Sequence, residues 1–263
     1  MENKNLDIFI STHKKFDVKV KNESYKIMSC NDVEFNTSIS VLYDTKEYNE
    51  KNSIIDSIVE WDHFYSELTT MYWVWKNYSI KDYVGLCQYR RCFDFMDNIP
   101  NMDEIFANFD IILPTPYVFN CTVKKQYDIY HNVHDINLME QIINEFYSEY
   151  SNSTSEVLNG NVFYTSNIFI MKKDDFIKCC NFVFGVINKY LEKTNITSLS
   201  DVESKVSKEW VNYGKPFYPN NTLWYQSRIG GFLAERLLNI FVNHNFKRIK
   251  EIPIIITEEK YKN

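Results

Sequence analysis

The segment LDIFIS, residues 6–11, is a short apolar run that is followed at once by the polar residues THKK, 12–15. A run of this length, rich in β-branched and aromatic residues, is typical of a buried strand. In open α/β sheets, ligands bind in the loops outside the carboxyl ends of the strands. The segment therefore predicts a central strand that leads directly into a ligand-binding loop.

Further strands and helices are predicted along the rest of the chain. Strand-like runs occur at residues 25–28, 38–42, 83–87, 109–113, 167–171 and 252–256. Helical spacing of apolar residues occurs at residues 64–75, 136–150, 174–191 and 222–242. Asp62 could cap the first of these helices, Gly230-Gly231 should interrupt the last, and Pro253 restricts the final strand to a sheet edge.

The alternation of these elements indicates the fold class. Strands that alternate with helices favour an α/β fold, with a mostly parallel sheet flanked by helices on both faces. Residues 194–221 are polar and lack periodicity, so a long loop or insertion is predicted there. No repeat or linker is evident, and one domain over residues 1–263 is the expectation.

Composition and charge exclude several classes of protein. The chain has 263 residues, of which 44% are hydrophobic and 24% charged, as in ordinary globular proteins. The net charge of -6 disfavours nucleic acid as a partner, because phosphate contacts need a basic face. No apolar run approaches the roughly 18 residues of a membrane-spanning helix, and no signal peptide is recognisable. We expect a cytoplasmic protein, with peripheral contact at the inner face of the plasma membrane left open.

Cysteine and glycine usage narrows the chemistry further. The six cysteines include no CxxC pair, which argues against a zinc ribbon and favours reduced thiols. With only six glycines, the chain has neither a GxGxxG motif nor a P-loop. Phosphate binding would then rest on cationic side chains. The 19 Tyr and 19 Phe could line a polar ligand site or could reflect codon usage in an AT-rich genome.

Arg90 and Arg91 directly follow the predicted strand at residues 83–87. Guanidinium groups bind phosphate oxygens bidentately, so the pair suits a diphosphate. Neighbouring strand residues face opposite ways, and only one of the two need reach the ligand. The alternative is a structural ion pair with an acidic helix residue such as Glu67.

Two other charged groups allow more than one interpretation. His131, His134 and Asp135 could share a helix face and bind a metal, as in a metal hydrolase, or form an acid–base pair. Asp135 could equally be a helix cap. Glu235 and Arg236 lie within an apolar helix and are either a partnered buried pair or a solvated stripe.

Six segments in a fixed order carry a resemblance to a known family. They are residues 8–16 (IFISTHKKF), 65–77 (YSELTTMYWVWKN), 84–91 (VGLCQYRR), 126–135 with Gln126, Tyr127, His131 and Asp135, 167–173 (NIFIMKK) and 228–237 (RIGGFLAERL). The chain resembles bacterial capsular and exopolysaccharide glycosyltransferases long grouped as a family of unknown function. The resemblance implies a GT-A-like fold. It also implies transfer of galactose, as pyranose or furanose, from a UDP-sugar to a lipid-linked or oligosaccharide acceptor of surface polysaccharide.

The resemblance also implies roles for particular residues. The donor is expected at Thr12, His13, Lys14, Asp56, Tyr89, Arg90 and Arg91. The acceptor or transferred sugar is expected at Tyr127, His131, Asn167, Lys172 and Arg236. Catalytic roles fall to Asp135, Glu235 and His134.

The sequence departs from the family pattern in two places and leaves the metal open. Gln88 stands where the family usually has His, and Trp61-Asp62 stand where it usually has Lys-Asn. No Asp-x-Asp pair occurs, so dependence on Mn²⁺ or Mg²⁺ is undecided. The alternative to an enzyme is a non-catalytic carbohydrate-binding or scaffold protein that retains the fold.

Overall fold

The computed structural model of the protein describes residues 5–54, 56–213 and 222–257. The strands are β1 Leu6–Thr12, β2 Tyr25–Ser29, β3 Ser40–Tyr43, β4 Tyr83–Gln88, β5 Arg91–Phe93, β6 Ile111–Pro114, β7 Tyr117–Val118, β8 Val162–Phe163, β9 Phe169–Lys172, β10 Ile249–Ile252 and β11 Ile254–Ile256. The α-helices are α1 Lys46–Lys51, α2 Asp62–Tyr65, α3 Leu68–Asn77, α4 Met102–Asn108, α5 Val123–Tyr130, α6 Val133–Phe146, α7 Ser151–Asn159, α8 Lys173–Thr194, α9 Leu199–Tyr213, α10 Leu223–Gln226 and α11 Ile229–Asn245.

The central sheet has the strand order β10-β6-β9-β4-β1-β2-β3. β1 runs parallel to β2 and β4, β2 to β3, and β6 to β10, whereas β9 is antiparallel to both β4 and β6. The short strand β5 pairs antiparallel with the end of β4 on one side and with β11 on the other. The predicted α/β fold with a mostly parallel sheet is confirmed, and the carboxyl ends of β1, β2 and β4 lie along one edge.

Alternate residues of the strands feed two separate cores. Phe9 and Leu86 face a large core shared with most of the helices, including α3, α6, α8 and α11. Ile8, Ile10 and Cys87 face a smaller core closed by α4 and by irregular segments. The expectation of helices on both faces therefore holds unevenly, since α4 is the helix that contributes buried residues to the second core among the described residues.

The helix predicted over residues 64–75 is divided into α2 and α3 at Ser66. Ser66 has φ 54° and ψ -130°, a backbone conformation that non-glycine residues rarely adopt. Asp62 does not cap α2, because the N-cap position belongs to Trp61, and the Asp62 carboxylate accepts a hydrogen bond from Thr69 Oγ1 (2.7 Å) instead.

The interruption predicted at Gly230-Gly231 lies three residues earlier, at Ser227 and Arg228, between α10 and α11. Both glycines are inside α11, where they allow the helix to approach the α2–α3 break closely. A Cβ on Gly230 would lie 2.6 Å from a ring carbon of Phe64 and 2.9 Å from the Phe64 carbonyl oxygen.

Gly230→Ala is expected to lower the free energy of unfolding by about 1–3 kcal/mol, the usual cost of overpacking. In an open helix position the same change would stabilise the protein by up to about 1 kcal/mol, so the sign of the effect reports the close approach. Urea unfolding followed by circular dichroism measures it. Gly231→Ala is the matched control, since its Cβ would lie farther from its neighbours, 3.1 Å from Ser66 Oγ and 3.5 Å from the Tyr65 carbonyl oxygen. A Gly230→Ala protein as stable as the parent would contradict the packing.

The loop predicted over residues 194–221 is wrong for much of its length, because α9 occupies Leu199–Tyr213. The polar residues at its start form a cap rather than a loop: the Asp201 carboxylate accepts hydrogen bonds from Thr197 and Ser198. Val202 and Val206, one turn apart, are buried against the large core. Residues 214–221 of the predicted loop lie outside the described residues.

Within the described residues, no helix is both long enough and apolar enough to cross a bilayer.

Candidate functional site

A cavity of about 330 Å³ lies at the edge of the sheet where β1, β2 and β4 end. It is lined by Ser11, Thr12, His13, Cys30, Asn31, Asp62, His63, Ser66, Glu67, Gln88, Tyr89, Arg90, Trp224 and Arg228. The size falls in the range of small-molecule sites. The location agrees with the rule that ligands bind beyond the carboxyl ends of parallel strands.

The loop after β1 is held rigidly at the cavity. Thr12 Oγ1 donates to the Lys14 carbonyl (2.6 Å) and accepts from the Lys14 amide (3.2 Å). Asn31 Nδ2, from the segment after β2, donates to the His13 carbonyl (2.5 Å). The main chain at residues 12–14 is therefore fixed before any ligand arrives.

Cationic groups gather around the ring of Tyr89. The Lys14 ammonium and the Arg90 guanidinium each lie 5.0 Å from the ring centroid, and the His13 ring meets it edge-on at 5.3 Å. Burial lowers the pKa of His13, and Asp62 opposes that shift. The lowered pKa favours the neutral form of His13, so the charge of this wall comes from Lys14 and Arg90 and suits an anion.

Glu67 is the most constrained carboxylate of the cavity. Its Oε1 accepts hydrogen bonds from Gln88 Nε2 (3.1 Å) and Asn167 Nδ2 (3.0 Å). Its Oε2 lies 3.9 Å from the Arg228 guanidinium, whose Nε donates to Ser66 Oγ (2.8 Å). Burial raises the pKa of Glu67, against the opposing effect of Arg228. One oxygen is thus fixed by neutral amides, and the other is left beside a cation.

Backbone strain concentrates around this carboxylate. Ser66 precedes it in the chain with φ 54°, and Ser166 and Asn167 contact Gln88 and Glu67 with φ 72° and 50°. Non-glycine residues with positive φ are energetically costly and cluster at functional sites. The strain therefore supports a functional role for the Glu67 environment.

A buried ionic network supports the wall behind Glu67. Glu235 Oε1 accepts a hydrogen bond from the Ser166 amide (2.6 Å), and its Oε2 binds Arg236 NH1 (2.9 Å). Arg236 is 2% exposed and also donates to the Phe232 carbonyl (3.0 Å) and to Gln126 Oε1 (2.6 Å). The pair expected on α11 is thus partnered, with Arg236 buried and the Glu235 side chain 22% exposed, and it is not a solvated stripe.

Comparison with known proteins places the chain in a family. Residues 7–208 match the model of a domain of unknown function, DUF4422. The chain belongs to the DUF4422 family. None of the curated proteins compared with it matches.

One solved structure relates the DUF4422 fold to an enzyme. The apo structure of WbbM, a bifunctional glycosyltransferase, superposes with a TM-score of 0.68 at 22% sequence identity. The match covers 97% of this chain and 46% of the WbbM chain, so the protein spans less than half the length of that enzyme. At this identity the likeness shows a shared fold.

The DUF4422 chain brings four of the expected donor residues to the cavity: Thr12, His13, Tyr89 and Arg90. Lys14 lies beside them, over the Tyr89 ring. Arg91 points elsewhere and donates to Ser166 Oγ (2.7 Å). Glu67, the acidic partner considered for these arginines, lies 3.9 Å from the guanidinium of Arg228.

The remaining expected residues lie away from the cavity lining. Asp56 is exposed, and its carbonyl accepts from Asn77. Lys172 is exposed over the Phe106 ring, while Tyr127 is fully buried beneath Arg236. Asn167 reaches the cavity only through Glu67.

His131, His134 and Asp135 do not converge on one point. His131 Nδ1 donates to Gln226 Oε1 (3.1 Å), and Asp135 binds the Tyr190 hydroxyl (2.6 Å) and Lys205 (2.7 Å) in the helical layer. His134 is exposed at the start of α6. Within the described ranges, no group of three or more His, Cys, Asp or Glu residues is placed to hold a metal ion, so the metal-hydrolase interpretation has no ligand set there.

Ten lining residues were not assigned to the site from sequence: Ser11, Cys30, Asn31, Asp62, His63, Ser66, Glu67, Gln88, Trp224 and Arg228. Ser66 and Arg228 are 162 positions apart yet hydrogen-bonded. Glu67 was considered only as an ion-pair partner of the arginines. The available signal was the position of Glu67 in the family segment at residues 65–77, between the aromatic-rich helices α2 and α3.

Proposed function

We propose that this protein is a glycosyltransferase that moves a sugar from a UDP-sugar to a saccharide acceptor. The observation that carries the proposal is the cavity itself: cationic side chains and a hydrogen-bonded, largely buried carboxylate line the same cavity beyond the carboxyl ends of parallel strands. The shared fold with WbbM, which is named as a glycosyltransferase, supports the reaction class. Galactose as the sugar, and a surface-polysaccharide acceptor at the inner face of the plasma membrane, rest on the family resemblance.

The cationic wall would hold the diphosphate of the donor. Arg90, which follows β4, lines the cavity beside Tyr89, and Arg228, at the start of α11, lines it as well. Guanidinium groups form strong charge-assisted bonds with phosphate oxygens. With no Gly-rich loop in the sequence, these side chains and the fixed main chain at residues 12–14 would carry the binding.

Glu67 replaces Asp135 and Glu235 as the base candidate, because it lines the cavity and they do not, and its side chain is only 11% exposed. In the proposed step, the oxygen of the acceptor hydroxyl bonds to the anomeric carbon of the donor sugar. Glu67 Oε2 accepts the proton that this hydroxyl loses. The bond from that carbon to the diphosphate breaks, and its electron pair leaves on the UDP oxygen. Arg90 and Arg228 would stabilise the charge that builds there.

The cavity is compatible with a divalent ion whose ligands come partly from the protein and partly from the diphosphate of the donor. Mg²⁺ commonly binds one or two carboxylates together with substrate phosphates, without a closed protein cage. Asp62, which lines the cavity, is a carboxylate that could take part. Comparing UDP binding with and without Mn²⁺ decides the question.

The test of the function is calorimetric titration with UDP. Arg90→Ala is expected to weaken UDP affinity by about 10- to 100-fold, the effect of losing a hydrogen-bonded charge pair. Arg91→Ala is the matched neighbour and should leave the affinity close to that of the parent, because Arg91 donates to Ser166 outside the cavity lining. Failure of the parent protein to bind UDP with or without Mn²⁺ would overturn the proposal, and glycan binding without UDP binding would indicate the non-catalytic alternative.

A further inference from the structure

An exposed apolar strip borders the cavity. It consists of Ile129, Tyr130, Leu223 and Trp224, which are 42%, 37%, 43% and 65% exposed. The first two end α5, and the last two begin α10. Gln226 Nε2 joins the two helices by donating to the Tyr130 carbonyl (2.8 Å). We call these four residues the rim strip; Trp224 belongs to it and also lines the cavity.

The rim strip is held in place by contacts that its short helix could not provide alone. His63 Nε2 donates to the Trp224 carbonyl (2.7 Å), and the His63 ring packs on the indole at 4.3 Å. Thr222 caps α10 through the Tyr225 amide (3.1 Å). His131 binds Gln226 and stacks on Phe232 at 3.9 Å. An indole that is largely in solvent is therefore fixed on one side, at the cavity mouth.

The surroundings of the rim strip favour a neutral occupant over an anionic membrane. Membrane-surface binding is strengthened by an excess of Lys and Arg. The lysines of α5 are matched by acids: Lys125 with Asp128 (2.7 Å) and Lys124 with Glu140 (2.6 Å). A sugar ring presents an apolar C–H face and polar edges, which complement amphipathic aromatic side chains.

From these contacts we infer that the rim strip is the acceptor subsite, with the pyranose ring that accepts the transferred sugar stacked on Trp224. The chain of the acceptor saccharide then runs over Leu223 towards Tyr130. This inference rests on the proposed function, which supplies the donor side of the same cavity. His131, expected to bind sugar directly, becomes a positioning residue for the helix that carries Trp224.

The experiment uses saturation-transfer NMR on the UDP-loaded protein with methyl β-galactopyranoside, lactose and cellobiose as probes. The parent is expected to bind at least one probe saturably, and Trp224→Ala should weaken that binding by about two- to tenfold, the range of aromatic contacts. Trp224→Phe should retain most of it. Phe146→Ala, which removes an aromatic side chain 45% exposed on α6, is the matched control and should have no effect.

Three results would overturn the inference. They are binding of no probe by the parent, equal binding by Trp224→Ala, and Trp224-dependent binding of phosphatidylcholine–phosphatidylglycerol vesicles without binding of any saccharide. Calorimetry with UDP keeps the two proposals separate. Trp224→Ala should bind UDP as the parent does. If the parent binds a saccharide but does not bind UDP, the donor assignment is refuted and the acceptor subsite stands.

Discussion

Replacing Glu67 with glutamine is expected to lower sugar transfer, or hydrolysis of the donor, by about 10²- to 10⁴-fold, the usual contribution of a general base. The amide has nearly the same shape but cannot take up the proton of the acceptor hydroxyl. Affinity for UDP should change little, because the diphosphate is assigned to Arg90 and Arg228. Turnover of a UDP-sugar panel, read by mass detection, and calorimetry with UDP measure the two quantities.

The matched control for this substitution is Glu60→Gln, an exposed glutamate in the turn before α2 that does not line the cavity. It should retain the turnover of the parent. Retention of most activity by Glu67→Gln, with a folded protein that binds UDP, would remove Glu67 from the mechanism and return attention to Asp62.

The pH dependence of turnover supplies an independent check on Glu67. Burial raises the pKa of Glu67, so the active carboxylate form is reached at a higher pH than in an exposed glutamate. Activity should therefore rise with pH as Glu67 loses its proton, and this rise forms the acidic limb of the pH profile. Gln88→Leu removes a donor that stabilises the charged form, and the limb should then move to higher pH. An unmoved limb would assign the titration to another group.

The second large effect concerns stability: Arg236→Ala should lower the free energy of unfolding by about 3–5 kcal/mol, as expected when one partner of a buried ion pair is removed. The change leaves Glu235 and Gln126 without their guanidinium donor and opens space beneath the Phe163 ring, 4.6 Å from Arg236. Urea unfolding measures the difference.

A surface pair provides the comparison for Arg236. Arg248 is 57% exposed and binds Asp110 at 2.7 Å; the bond lowers the pKa of Asp110 to about 2. Arg248→Ala should cost no more than about 1 kcal/mol, because water screens the pair. Similar losses for both variants would show that burial does not set the strength of the α11 network.

The parts of the fold that depend on local pattern were predictable. β1 and β4 are short, mainly apolar runs that the pattern predicts, and the residues at or just past their ends, Thr12, His13 and Arg90, line the cavity. α9 was missed because its buried face is narrow and its capping residues are as polar as a loop.

The interior of the site depends on contacts between distant segments and was not predictable from pattern. The break at Ser66 is shaped by the approach of Gly230 to Phe64, which no local propensity encodes. The environment of Glu67 needs Gln88, Asn167 and Arg228 from three other segments. A sequence pattern reveals strand ends, whereas the partner of a buried carboxylate is decided by tertiary packing.

The 162-residue separation between Ser66 and Arg228 has a consequence for synthesis. The loop after β1 and the arginine after β4 leave the ribosome early, because synthesis proceeds from the N-terminus. The arginine that faces Glu67 emerges much later, with α11. A chain that ended before Arg228 would contain Lys14, Arg90 and the proposed base Glu67, but not the arginine that lies beside Glu67. The geometry for group transfer is therefore complete only when translation has passed Arg228.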